Sequence, residues 1–361
     1  TRKESSAASD VYKRQSDPRA HATSSELALH AAMPVNDMTA ISETGRQADG
    51  VMSKDKNTPP ILPKQGDSIE DQQTMRATRK SKIYLRRFMR NKAAVVGLVI
   101  FFLMVLLALF GKFMTPWSYD DPDFMNLSVA PSGEHWFGTT DSGNDLFAQV
   151  VHGLGRSLSI AVPASIATTV ISAIVGAGAA LFGGSLEKIV LAVIHFLLAV
   201  PTFLIIALLV SGSGGDWKVL TVVLIAFGWM YSARVIWSLS LSIRENDYVR
   251  AAKFMGVSNS KTIVRHIIPN VASLLIIQLM LGIVSTIMSE TALSFLGLGV
   301  KLPDVSLGTL LQSGTATLVT APWQFYFPAL VLTLLTVSMA FIADGLRDAL
   351  DPNSNSGGSA A

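Results

Sequence analysis

The stretch AAVVGLVIFFLMVLLALFG, residues 93–111, runs nineteen positions without a single charge. As an α-helix rising about 1.5 Å per residue it would reach roughly 30 Å, the thickness of a bilayer's hydrocarbon. Inside lipid the backbone has no water to bond, so a lone apolar run of this kind is confined to a helix. Comparable runs follow at Ser157–Leu186, Ile189–Val210, Val219–Ala233 (extending past Arg234 to about Ser240), Val271–Ser289 and Phe325–Ala343. The expected architecture is an all-α polytopic membrane protein. Its six transmembrane helices fall near 93–112, 158–182, 189–210, 219–240, 271–289 and 325–343. Pro163 and Pro201 lie inside two of these spans, a substitution membrane helices tolerate.

Composition agrees: half of the residues are hydrophobic, 15% are charged, and mean hydropathy is +0.42. A net charge of +3 is too small to argue for nucleic acid. The absence of cysteine removes disulfides, thiolate zinc sites and cysteine nucleophiles. Residues 1–75 are polar and lack any apolar run, so they read as a disordered leader, with Met33 or Met38 a candidate start. The domain is expected over 76–352, followed by a flexible tail, 353–361.

Lys and Arg set the orientation. The flank RATRKSKIYLRRFMRNK holds eight basic residues and no acid. Placing it in the cytoplasm puts fifteen basic residues on the inner side and four on the outer. Both termini are then cytoplasmic. The segments 112–156 and 290–323 lie outside, long enough for a lip over a pore or a plain connector.

That orientation also puts DYVRAAKFMGVSNSKTIVRHIIPN (247–270), a polar and basic stretch between two apolar spans, inside the cell. From Asp247, residues Tyr248, Ala251, Ala252 and Met255 share a helical stripe, with Arg250 and Lys253 elsewhere. Gly256 suits a helix stop, Ser258 a cap for the next helix, and Pro269 the first turn of the following span. A first helix this short needs something to dock on. Periodicity alone leaves two readings: an amphipathic loop on anionic lipid, or a docking device for a partner.

The stretch AAKFMGVSNSKTIVRHIIP resembles the EAA loop of permease subunits of ATP-binding-cassette importers, through Ala251, Ala252, Gly256 and Pro269. FGTTDSGNDLFAQVVHGLGRSLSIAV, VPTFLIIALL, GWMYSARVIWSLSLSIRENDYVRAAKFMG, SETALSFLGLGVKLP and FIADGLRDALDP are similar, in the same order, to the C-type subunits of oligopeptide and dipeptide permeases. The resemblance covers about 80–352. Arg250 departs from the usual glutamate, and Thr140 and Asn144 stand where Asp and Arg are frequent.

This resemblance implies a type I importer transmembrane domain with a coupling helix between spans four and five. Asp247, Tyr248, Arg250, Ala251, Ala252, Met255, Gly256, Arg265 and Pro269 would form the loop that meets the ATPase. The implied partners are a sister permease, two cytoplasmic ATPases, an extracytoplasmic and lipid-anchored solute-binding protein, and membrane lipid. ATP and magnesium would be used by the ATPases, with no cofactor or metal on this chain. Gly256→Asp is expected to leave insertion intact while uncoupling hydrolysis from uptake.

The chain has no phosphate-binding loop of its own: in GVSNSKT the glycine positions are held by Ser260 and Met255. His195 reads as a packed neutral residue rather than a proton relay. Arg234 is either a snorkelling charge or a pairing or pore-lining one. Glu290 and Asp344 read as charges capping spans five and six, on opposite faces of the membrane. A self-contained channel or ion-driven carrier is the competing class. It would favour an intramembrane acid pair or an inverted repeat, and neither is visible.

Overall fold

The computed structural model describes residues 82–350. The expected leader, the tail and both domain boundaries lie outside them. The described chain is all-α, with two isolated β-bridges, Pro122–Asn144 and Thr139–Asp145. After a helical segment over 82–90, helix α1 spans Lys92–Phe110 and α2 Leu146–Phe182. Then come α3 (Gly184–Ala199), α4 (Thr202–Ser211), α5 (Trp217–Gly228) and α6 (Met230–Arg244). The short α7 (Asp247–Phe254) and α8 (Asn259–Thr262) lead into α9 (Ile268–Phe295), α10 (Leu307–Ala316) and α11 (Trp323–Leu350). Helix α2 is central, packed against α5, α6 and α9, while α1 lies along α11.

Five helical runs are long and apolar enough to cross a membrane, six if α3 and α4 count as one. The expected third span is therefore a broken one: α3 and α4 meet at 78°. Pro163 and Pro201 part ways for a packing reason. Pro163 is held in a helix with neighbours on several sides, and α2 continues through it. Helix α3 buries only Ile194, so nothing resists the preference of the residue before Pro201 for extended backbone. Val200 adopts φ −84°, ψ 141°, and the helix ends.

Helix α2 also begins eleven residues before the apolar run at Ser157, at Leu146. Asp145 starts it, its Oδ1 accepting the Ala148 N–H at 2.7 Å. The other carboxylate oxygen, Oδ2, lies 2.8 Å from Nδ1 of the buried His135. His135 is the centre of a compact lobe over 111–145, with Trp117 packed on its ring. Gln324 at the start of α11 donates to the Thr139 carbonyl and ties the lobe down.

In this lobe Asp123 accepts from Asn126 Nδ2 at 2.7 Å and from the Met125 N–H at 3.0 Å. These bonds, Asn126 first, with a smaller attraction from His135, hold its carboxyl below the ordinary 3.8. A depressed carboxylate contributes stability above its unfolded value and loses it as pH falls through the folded one, here below about pH 4. Asn126→Ala should bring the folded value up and start the lobe's acid transition at higher pH, read by Trp117 fluorescence. An unshifted transition would contradict the assignment.

Candidate functional site

At the end of α2 away from this lobe, α7 folds against the bundle. Asn246 precedes it in extended conformation, and Asp247 places a carboxylate in its first, electropositive turn. The helix ends in a Schellman motif. Gly256 N–H bonds the Lys253 carbonyl at 3.0 Å and Val257 N–H bonds that of Ala252 at 3.1 Å. This geometry requires left-handed backbone at Gly256, whose φ is +78°.

The expected stripe on α7 divides. Ala252 is buried, and the fully buried Val249 on the same side belongs to an apolar cluster with Leu181 of α2 and with Ile263, Ile267 and Val271. Ala252 is not available to a partner, which corrects the expectation. Tyr248, Ala251 and Met255 are exposed, as is Arg250. Phe254, which the stripe omits, is 87% exposed and Met255 77%. An exposed phenylalanine beside an exposed methionine, flanked by Arg250 and Lys253, makes an apolar knob in a cationic surround.

Tyr248 does double duty. Its hydroxyl accepts from Asn270 Nδ2 at 3.1 Å, linking α7 to the first turn of α9. Ser258 occupies the cap position of α8, but its hydroxyl makes no capping bond; its carbonyl accepts from Thr262 instead. Pro269 lies in the first turn of α9, as expected, and the helix does not break there. Residues 259–295 form one helical run, with a π-helical turn at Ile263–Ile267. The wider turn moves the carbonyl that the proline ring would meet four residues back, so the chain passes Pro269 without breaking. Arg265, in that turn, and Pro269 are both exposed. The knob is thus gripped on its inner face by the ends of two long helices, α2 and the α8–α9 run.

The three remaining charges behave differently from one another. Glu290 is not a cap: α9 continues to Phe295 and the carboxyl is fully buried. Oε2 accepts from Ser157 of α2 at 3.0 Å and Oε1 from Ser294 at 2.7 Å. Ser157 also stands 3.4 Å from the N–H of Leu307, the first residue of α10. Glu290 therefore joins three helices at the lobe end of the bundle. Asp344 does not cap either, because α11 runs on to Leu350, and it is exposed. Arg234 is exposed in the first turns of α6. His195, expected to be packed, is exposed on α3. Among the described residues no cluster of three or more His, Cys, Asp or Glu could hold a metal.

Residues 168–355 match the family described as "binding-protein-dependent transport system inner membrane component", and 81–131 match the "N-terminal TM domain of oligopeptide transport permease C". The chain is 43% identical over 282 residues to the oligopeptide transport system permease protein OppC of Mycobacterium bovis, covering 78% of this chain and 97% of that protein. It is 35% identical over 269 residues to OppC of Escherichia coli K12, covering 74% and 89%. With the dipeptide transport system permease protein DppC of Bacillus subtilis it shares 33% identity over 268 residues, 74% and 84% of the two chains. Matches this extensive, on a bundle of membrane-length helices with an exposed knob at one end, place the protein: the chain belongs to the family of inner membrane components of binding-protein-dependent transport systems, as a permease subunit.

Proposed function

We propose that the chain is one of two permease halves in an ATP-driven peptide importer, with its knob seated on a cytoplasmic ATPase. The observation that carries this reading is the two-sided packing of α7. One face, Val249 and Ala252, is locked to the bundle, and the other, Phe254 and Met255, has no cover within the described chain. An eight-residue helix has little stability of its own and moves as whatever it is docked on moves. A partner that grips the outer face therefore displaces the ends of α2 and of the α8–α9 run together. Those helices pack on each other and extend to the opposite end of the bundle, so the displacement arrives there as a rigid rotation between inward-facing and outward-facing states.

The charge count over the loops supports a cytoplasmic position for the knob and for both termini. ATP and magnesium belong to the two ATPase partners, and this chain binds neither. A sister permease completes the path, and a lipid-anchored binding protein delivers the cargo from outside. Peptides are the cargo named for the relatives, oligopeptides for OppC and dipeptides for DppC.

The test is reconstitution. The chain co-purified with the sister subunit and ATPases should show vanadate-sensitive ATP hydrolysis and take up peptide into proteoliposomes. The chain alone should do neither; uphill transport by it alone would defeat the reading. Gly256 offers a graded probe. No atom lies within 4 Å of a side chain added there, so Gly256→Asp carries only the dihedral cost of left-handed backbone, about 1 kcal/mol. Insertion should be unchanged and uptake reduced several-fold at constant ATP hydrolysis. Wild-type uptake in this variant would contradict a coupling role for the turn.

A further inference from the structure

Five helices, α2, α4, α5, α6 and α9, line an open cavity of about 560 Å³ within the membrane-length part of the bundle. Its polar lining includes Thr168, Thr202, Ser232, Gln278, Ser285 and Ser289, and among the described residues it contains no Asp, Glu, Lys, Arg or His. Both interruptions in the spans open on it: Thr202 follows the break at Pro201, and Gly228 and Tyr231 flank the one at Trp229. Irregular backbone at membrane depth persists only where protein buries it or water reaches it. The cavity thus offers hydroxyl and amide groups beside both interruptions.

Tyr231 links the cavity to a second feature. Along α6, Tyr231, Arg234, Ser238 and Ser242 fall on one helical face, and all four are exposed. A face polar through three turns is a poor surface for lipid. Arg234 stands ten residues before Arg244 at the end of α6, roughly 15 Å along the axis. It has no hydrogen bond or ion pair within the described chain. A guanidinium left unpaired at that depth is costly unless an anion or water meets it.

We propose that the cavity and the α6 stripe form this chain's wall of the translocation path, and that Arg234 takes the C-terminal carboxylate of the passing peptide. This rests on the peptide reading given above. Hydroxyl and amide side chains both donate and accept, so they serve the N–H and C=O groups of any peptide backbone without selecting its side chains. A carboxylate is the charge every unblocked peptide shares, and a guanidinium fits it with two parallel bonds.

The experiment uses the complete assembly in proteoliposomes and a pair of peptides identical in sequence, one ending in a free carboxylate and one in a carboxamide. Arg234→Gln should lower the ratio of acid to amide uptake about tenfold, the loss expected for one charge-assisted contact. Arg234→Met, an uncharged stem that enters lipid readily, should lower it equally. Because both variants work with the same binding protein, its own preference cancels in the comparison. An unchanged ratio overturns the proposal, whether total uptake holds or both peptides fall together; the second pattern would mark Arg234 as pairing with an acid of the sister subunit. If the wild-type assembly hydrolyses ATP on addition of the binding protein yet moves neither peptide, the peptide reading itself is overturned.

Discussion

Gly176→Leu should remove the protein from the membrane, while Gly178→Ala, two residues along the same helix, should change nothing measurable. Gly176 is buried in α2 where that helix packs on α6. A Cβ built there would stand 2.5 Å from the carbonyl oxygen of Ala233, 2.9 Å from the amide nitrogen of Trp237 and 3.0 Å from Cβ of Ile236. Two of the three neighbours are backbone, which cannot rotate away. Helix pairs in membranes rely on such small-residue contacts because lipid supplies no hydrophobic drive for their association. Overpacking of a well-filled core costs about 1–3 kcal/mol when side chains can adjust. Here α2 and α6 must separate, so the cost should reach or pass the upper end of that range. Separation would also disturb the bond from Ser172 Oγ to the Trp229 carbonyl one turn away, 2.8 Å long, which serves the interruption between α5 and α6. Gly178 meets nothing within 4 Å of its added Cβ. Quantitative immunoblotting of membranes, with thermal aggregation of the purified assembly, checks both. Normal accumulation of Gly176→Leu would mean the two helices do not pack as closely as described.

The apolar runs were legible because lipid makes them so: a span must be apolar over its whole length whatever its neighbours are. Features that depend on neighbours were not. Pro163 and Pro201 look alike in the sequence, and only the crowding around α2 and the sparse packing of α3 separate them. The early start of α2 at Leu146 falls in a mixed stretch that hydropathy passes over, although Asp145 three residues ahead of an acceptable N–H is a legible cap. Glu290 sits near the end of an apolar run and so reads as a terminal charge. The helix in fact continues, and Ser157 and Ser294 supply the hydroxyls that make burial affordable. In α7 the difficulty is of another kind. The helix has apolar residues on two sides, Val249 and Ala252 on one and Tyr248, Ala251 and Met255 on the other. Periodicity locates such faces but does not say which one the rest of the chain will cover.

That division leads to the largest functional effect. The double substitution Phe254→Ser, Met255→Ser should reduce uptake by the assembled transporter more than tenfold while the chain inserts and pairs with its sister permease normally. Both side chains project away from the bundle, so their removal leaves the fold's own contacts intact. Aromatic and methionine side chains that fill a partner's pocket at the centre of an interface commonly account for 2 kcal/mol or more each, and two of them can decide whether a complex holds. The companion change Val249→Asp acts from the other side. It places a carboxylate among the apolar side chains of Leu181, Ile263 and Ile267, and should unseat α7 from α2 and α9. The two variants then fail differently. The outward pair should lose the ATPases on purification, since the grip itself is gone. Val249→Asp should retain them at least in part, because Phe254 and Met255 remain, yet hydrolyse ATP without moving cargo, because the knob is no longer fixed to the helices it drives. Equal retention of ATPase and equal uptake in the outward pair would place the contact elsewhere on this end of the bundle, with the exposed Arg265 and Val264 of the π turn as the next surface to change.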